Sequence, residues 1–162
     1  MVNKYFGGKI PPAEAEEASD RELRETAAGI PGRIDVDLSL LAFNRYLQDA
    51  WTLVTRANRY VEENAPWTLA KNQDLGRLGS VLYNLAESLR LIGVYLYPVI
   101  PSTAQKIWNG IGMDKQLTRC RLSEEQGWGG LAPGSAVRAG EQLFPRIERK
   151  NQAGRGPART GA

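Results

Sequence analysis

Two long helical stripes dominate the hydrophobic pattern of this chain. From about Val36, residues Leu40, Leu47, Ala50, Val54, Ala57 and Val61 recur mostly at three- and four-residue steps, which places them on one face of an α-helix. The pattern predicts a long core helix that stops before Pro66, a residue with no N–H to continue the hydrogen-bond ladder. The second stripe, Leu75, Leu78, Leu82, Leu85, Leu89, Ile92 and Leu96, predicts another long core helix. Asp74 favours its start through the helix dipole, and Pro98 ends it.

Shorter elements surround these two. Gly7-Gly8 and then Pro11-Pro12 mark a helix end followed by a break. Ala13 to Ala28 is rich in helix formers and reads as one or two short helices, closed by Gly29, Pro31 and Gly32. Pro101 suits a first helical turn and opens a third segment, Ser102 to Asn109, closed by Gly110 and Gly112. Beyond Gly112 the periodicity fades, and Gly127 to Gly134 reads as turns flanking short extended pieces. Residues 151–162 are Gly-, Ala- and Arg-rich with nothing to bury. The expected fold is therefore all-α, an antiparallel helix bundle over 1–112, with a short irregular or β-containing C-terminal extension over 113–149 packed on it, and a disordered basic tail over 150–162.

Composition narrows the chemistry. The 162 residues include no His and one Cys. That excludes Ser-His-Asp and Cys-His catalytic units, His-ligated metals, an intramolecular disulfide and a cysteine zinc site. A lone Cys120 fits a reducing compartment, and no secretory h-region opens the chain, so a cytoplasmic location is expected. The longest apolar run, Leu91 to Ile100, is interrupted by Gly93 and Pro98 and is too short to span a bilayer, so no membrane partner is expected. The net charge is +3, but its distribution is uneven. Glu14 to Glu25 is acidic, whereas Arg146 to Arg159 is basic and suits either phosphate contacts or a solubilising tail.

The most informative local feature is the break at Pro66. The proline pushes Ala65 out of the helical region and puts Trp67 in the first turn of a short following helix. From the residues alone, Trp67 either plugs the top of the bundle or stands at its rim. At the rim, an indole beside Arg59 and Lys71 would offer a stacking platform for an unpaired base. Trp51, on the face of Ala50 and Val54, is expected in the core, and Trp108 and Trp128 are assigned to packing. Glu62-Glu63 reads as a solvated helix end and Cys120 as a bystander. No catalytic or metal constellation emerges.

The segment Asn58-Arg59-Tyr60-Val61-Glu62-Glu63-Asn64-Ala65-Pro66-Trp67, followed by Leu69-Ala70-Lys71, resembles the signature of the anticodon-binding domains of bacterial methionyl-tRNA synthetases. Three further pieces agree in order: Val2 to Pro11, then Leu82 to Glu87 with Pro98 to Trp108, and Gly140 to Glu148. The resemblance spans about residues 1 to 149. It implies a helical bundle that reads the CAU anticodon of methionine tRNA, with Trp67 stacking on an anticodon base, Pro66 shaping the same surface and Asn58 supporting it from the preceding helix. It also implies an upstream catalytic domain as partner, which charges the tRNA with ATP. The His-Ile-Gly-His and Lys-Met-Ser-Lys-Ser elements of that domain do not occur here, so no cofactor is expected in this chain and it is not expected to aminoacylate alone. Met1 to Lys4 matches only the end of the family's first bundle helix, so a fragment lacking most of that helix is expected. The alternative is a helical protein-interaction module or degenerate paralogue without tRNA binding.

Overall fold

A computed structural model of the chain describes residues 1–138, 140, 143 and 144, so the expected basic tail and most of the Gly140 to Glu148 piece lie outside the described residues. The described helices are α1 (Val2–Tyr5), α2 (Ala18–Ala28), α3 (Ile30–Ser39), α4 (Phe43–Asn64), α5 (Pro66–Lys71), α6 (Leu75–Leu96), α7 (Pro101–Gly110) and α8 (Leu122–Glu125), with a single 3-10 turn at Leu117–Arg119. The architecture is the expected all-α bundle. Helices α4 and α6 run antiparallel: Tyr46, near the start of α4, donates its hydroxyl to the carbonyl of Tyr95 near the end of α6, while Asn64 at the end of α4 meets Arg77 in the first turn of α6. Helices α2 and α3 pack on α4, and α7 on α6.

The single long helix expected from Val36 does not form. Helix α3 ends at Ser39 and α4 begins at Phe43, with Leu41 left-handed at φ 54° between them. Apolar spacing continues across this corner without a glycine or proline to mark it. Gly29-Ile30-Pro31 proves to be a restart as well as a stop, because Pro31 sits in the first turn of α3, where its missing N–H costs nothing.

The faces of the long helices also differ from expectation. The buried face of α4 is Tyr46, Ala50, Leu53 and Tyr60. Two of these are tyrosines, whose ring bodies fill the core while each hydroxyl finds a partner. Trp51, expected in the core, is 58% exposed. It stands instead at an apolar groove of about 410 Å³ with Val54, Ala57 and Val61 of α4 and Leu85 and Leu89 of α6. The leucine stripe of α6 borders this groove as much as the interior: Leu78, Leu82, Ile92 and Leu96 are buried, whereas Leu75 and Leu89 are exposed. Helix α6 is covered on its other faces too, and buries Ser80, Asn84, Glu87 and Arg90. Trp108 is fully buried, and Trp128 packs against the same core.

The chain before α2 and the segment after α7 share a side of the bundle. Gly7 and Gly8, at φ 58° and 76°, turn the chain after α1, and Ser80 then receives the amides of Glu14 and Ala15. Ile10 packs with Tyr83, Ala86, Ile111 and Leu131, and Lys9 forms one antiparallel bridge with Ala136. Among the described residues the extension otherwise holds only the 3-10 turn and the short α8, with irregular chain between and after them. It is pinned by charge. The buried Glu87 carboxylate accepts the amides of Gly129 (2.7 Å), Gly130 (3.0 Å) and Leu131 (2.9 Å), and pairs with Arg90 at 2.7 Å. Arg90 donates onward to the carbonyls of Glu125 and Gly127.

Removing one partner of such a pair leaves the other charge buried and uncompensated. Glu87→Ala is therefore expected to cost roughly 3–5 kcal/mol, measured by urea unfolding. A loss below about 1 kcal/mol would show that Glu87 does not pin the extension.

Candidate nucleic-acid interface

The corner between α4 and α5 decides where Trp67 stands. Helix α4 ends at Asn64, and Ala65 turns left-handed at φ 38°, ψ 64°, since a residue before proline is disfavoured in the right-handed region. Its amide still reaches the Val61 carbonyl at 3.0 Å, and its carbonyl accepts from Thr68 at 2.7 Å. Pro66 occupies the first turn of α5 and is buried. Leu69 and Ala70 anchor α5 against Leu78 and Leu82 of α6 and against Val2, Tyr5 and Phe6. That leaves Trp67 pointing outward, 57% exposed. Of the two positions open to it from sequence, the indole takes the rim.

Beneath the corner lies a buried polar network that sequence reasoning missed. Asn64 donates to the Tyr60 carbonyl (2.9 Å), shares a 3.3 Å hydrogen bond with Ser19 of α2, and accepts from Arg77 of α6. Arg77 grips the Asp20 carboxylate with both terminal nitrogens, at 2.5 and 3.1 Å, and reaches Glu17 at 3.1 Å. Asp20 also accepts from the Tyr60 hydroxyl, from Asn84 at 3.0 Å and from the Glu17 amide at 2.7 Å. Burial pushes the Asp20 carboxyl up, but the hydrogen bonds from Arg77, Tyr60 and the Glu17 amide outweigh it and hold its pKa below 3.8. Burial and the hydrogen bond to Asp20 raise the Tyr60 hydroxyl well above its ordinary value. A partial signal existed in the sequence. Glu17 and Asp20 form a reciprocal capping box at the start of α2, which distinguishes Asp20 from its solvent-facing acidic neighbours.

The surroundings are less cationic than expected. Arg59 pairs with Glu63 at 2.6 Å, and Arg56 with Glu63 at 2.9 Å and Glu22 at 3.1 Å. Those guanidiniums, chiefly Arg56, lower the Glu63 pKa. Lys71, four residues beyond Trp67 on α5, is exposed. Asn58 is exposed on α4, six residues before its end and so about 9 Å along the axis from Asn64. It lines the apolar groove with Val61 and Leu89, and Trp67 is not among the groove's lining residues. Pro66 and Trp67 thus share one corner, and Asn58 stands apart on the adjoining face.

A family model described as the anticodon binding domain of methionyl tRNA ligase matches residues 12–156. This chain belongs to that family. It is similar to the methionine-tRNA ligase of Caldanaerobacter subterraneus, 42% identical over 91% of this chain and 23% of that protein, and to that of Clostridium acetobutylicum, 40% identical over 91% and 22%. The chain therefore spans under a quarter of the length of these relatives. Its fold is similar to Mycobacterium tuberculosis methionyl-tRNA synthetase in complex with methionyl-adenylate, with a TM-score of 0.81 at 28% identity over 90% of this chain and 28% of that one. The apo form of the same enzyme gives 0.79 at 27% identity over 92% and 30%.

The network gives this domain a pH signature. Asp20 has a lower pKa folded than unfolded, so its contribution to stability is present above the unfolded value of 3.8 and drains away as pH falls through the folded value. The stability gap between wild type and Asp20→Asn is expected to be constant from pH 7 to about pH 4 and to shrink below it, in urea unfolding across that range. A gap that stays constant down to about pH 2 would contradict the lowered carboxyl.

Proposed function

We propose that this chain reads the CAU anticodon of methionine tRNA and that Trp67 stacks on one of its unpaired bases. The observation that carries this reading is the exposed indole at a braced, buried corner within a domain of the anticodon-binding family. Stacking needs a flat apolar face free of the core and held still, and the α4–α5 corner supplies both. Pro66 sets the start of α5 and so the height of the indole. Asn58, with an exposed amide on the adjoining face of α4, offers donor and acceptor groups to a splayed base or the backbone beside it. Exposed Lys71 adds positive charge for a phosphate.

The partners on this reading are methionine tRNA and the catalytic part of the same ligase. ATP-dependent methionine charging belongs to that part, because the His-Ile-Gly-His and Lys-Met-Ser-Lys-Ser elements are not within these 162 residues. On this reading the work is cytoplasmic. No helix among the described residues is long and apolar enough to cross a membrane. A second reading, a helical interaction module that no longer binds tRNA, is favoured by the apolar groove between α4, α6 and α7, which Phe144 also lines. It requires a stable oligomer in light scattering together with no shift on adding RNA.

Base stacking on an aromatic side chain is worth about 1–3 kcal/mol by alanine substitution, so Trp67→Ala is expected to weaken binding of a CAU anticodon stem-loop by about tenfold or more. Anisotropy of a labelled stem-loop measures it. Unchanged affinity in a folded Trp67→Ala variant removes Trp67 from the site.

A further inference from the structure

Trp67 stands out from the bundle, so its direction depends on the backbone of α5 more than on its own packing. That backbone hangs on an uncommon turn. Ala65 carries a Cβ yet sits at φ 38°, a conformation that persists only where the surroundings hold it. The backbone hydrogen bonds of the corner are local, from Ala65 to Val61 and from Thr68 to Ala65. Apolar packing of Leu69 and Ala70 holds α5 against α6, and the directional tie between the corner and the rest of the protein is Asn64. Its one side chain reaches the Tyr60 carbonyl on α4, Ser19 on α2 and Arg77 on α6.

Arg77 closes the arrangement from the other side. The backbone amide of Arg77 donates at 3.1 Å to Asp74, whose side chain caps α6 just beyond α5. Its guanidinium holds Asn64, just before α5. The six-residue α5 is therefore tethered at both ends to the same residue, and that residue is fixed by the buried Asp20 carboxylate. Losing the Asn64 amide would free the end of α4, and with it the corner from which α5 starts, from its hydrogen bonds to α2 and α6. We propose that Asn64 and Arg77 are positioning residues for anticodon binding, which act by holding the α4–α5 corner so that Trp67 meets the base in one orientation. This rests on the reading of Trp67 as the stacking residue.

A double-mutant cycle on the 162-residue chain tests it, with the labelled CAU anticodon stem-loop as probe and Trp67→Ala, Asn64→Ala and the double variant measured across a salt series. In the wild-type background Asn64→Ala is expected to weaken binding about fivefold, and in the Trp67→Ala background less than about twofold, because the two residues act through one contact. The slope of log Kd against log salt is expected to stay unchanged, since no phosphate contact is touched. If Asn64→Ala does not fold, Asn64→Gln, which moves the amide off Arg77 by one methylene, carries the same cycle and the same expected pattern. An equal loss in both backgrounds, or no loss while Trp67→Ala alone weakens binding, overturns the positioning role. If Trp67→Ala itself leaves affinity unchanged, the reading of Trp67 fails and takes the proposal with it, an outcome distinct from the other two.

Discussion

The buried pairing of Asp20 with Arg77 organises the end of the bundle where Trp67 stands. A carboxylate and a guanidinium taken out of water lose hydration that their mutual attraction alone does not restore, so such a pair persists only when the remaining lone pairs and protons are also satisfied. Here they are. Asp20 takes hydrogen bonds from Arg77, Tyr60, Asn84 and the Glu17 amide, and Arg77 spends its other donors on Glu17 and Asn64. These partners come from three places in the chain, so one ion pair draws together the start of α2, the end of α4 and the first turns of α6. Apolar burial of Leu23, Leu53, Leu91 and Trp108 supplies cohesion, but it is indifferent to a small rotation of one helix against another. The directional bonds are not.

Helix α6 repeats the device about 15 Å further along its axis, where Glu87 and Arg90 hold the Gly127 to Leu131 segment. Glu87 receives three consecutive backbone amides, which an irregular segment cannot pair within a helix or sheet. The closeness is such that a Cβ on Gly130 would lie 2.6 Å from the Arg90 guanidinium carbon, so a larger residue there would have to displace the Arg90 side chain. The central helix thus carries two polar clamps on faces that a leucine count does not register. One fixes the corner that presents Trp67, and the other fixes the C-terminal extension against the bundle.

Much of this was legible in the sequence, and the gaps have physical causes. The bounds of α6 followed from the stripe Leu75 to Leu96 and the Asp74 cap, and α7 from Pro101 and Gly110. The break at Leu40 to Ala42 carried no signal, because Leu41 enters the left-handed region without being a glycine or asparagine. Trp51 stands outward because α4 turns Tyr46 and Tyr60 inward, which rotates its buried face away from the stripe of Leu47, Val54 and Val61. The Pro66–Trp67 corner was readable from local rules about proline. The bracing beneath it was not, beyond the capping-box position of Asp20, since Asp20, Asn64, Arg77 and Asn84 are distant in sequence and only the fold brings their donors and acceptors together.

A domain of the anticodon-binding family with one indole displayed on a braced corner is suited to recognition of unstacked bases, where a rigid aromatic face and edge hydrogen bonds do the discriminating. The most direct measurement is a fluorescence titration of the chain, near physiological salt, with a CAU anticodon stem-loop and with a copy altered at the first anticodon base. The expected result is a preference for CAU of about tenfold, equivalent to about 1.4 kcal/mol. Equal, salt-sensitive affinities for the two would show a basic surface that binds RNA without reading it, and would contradict the proposed role.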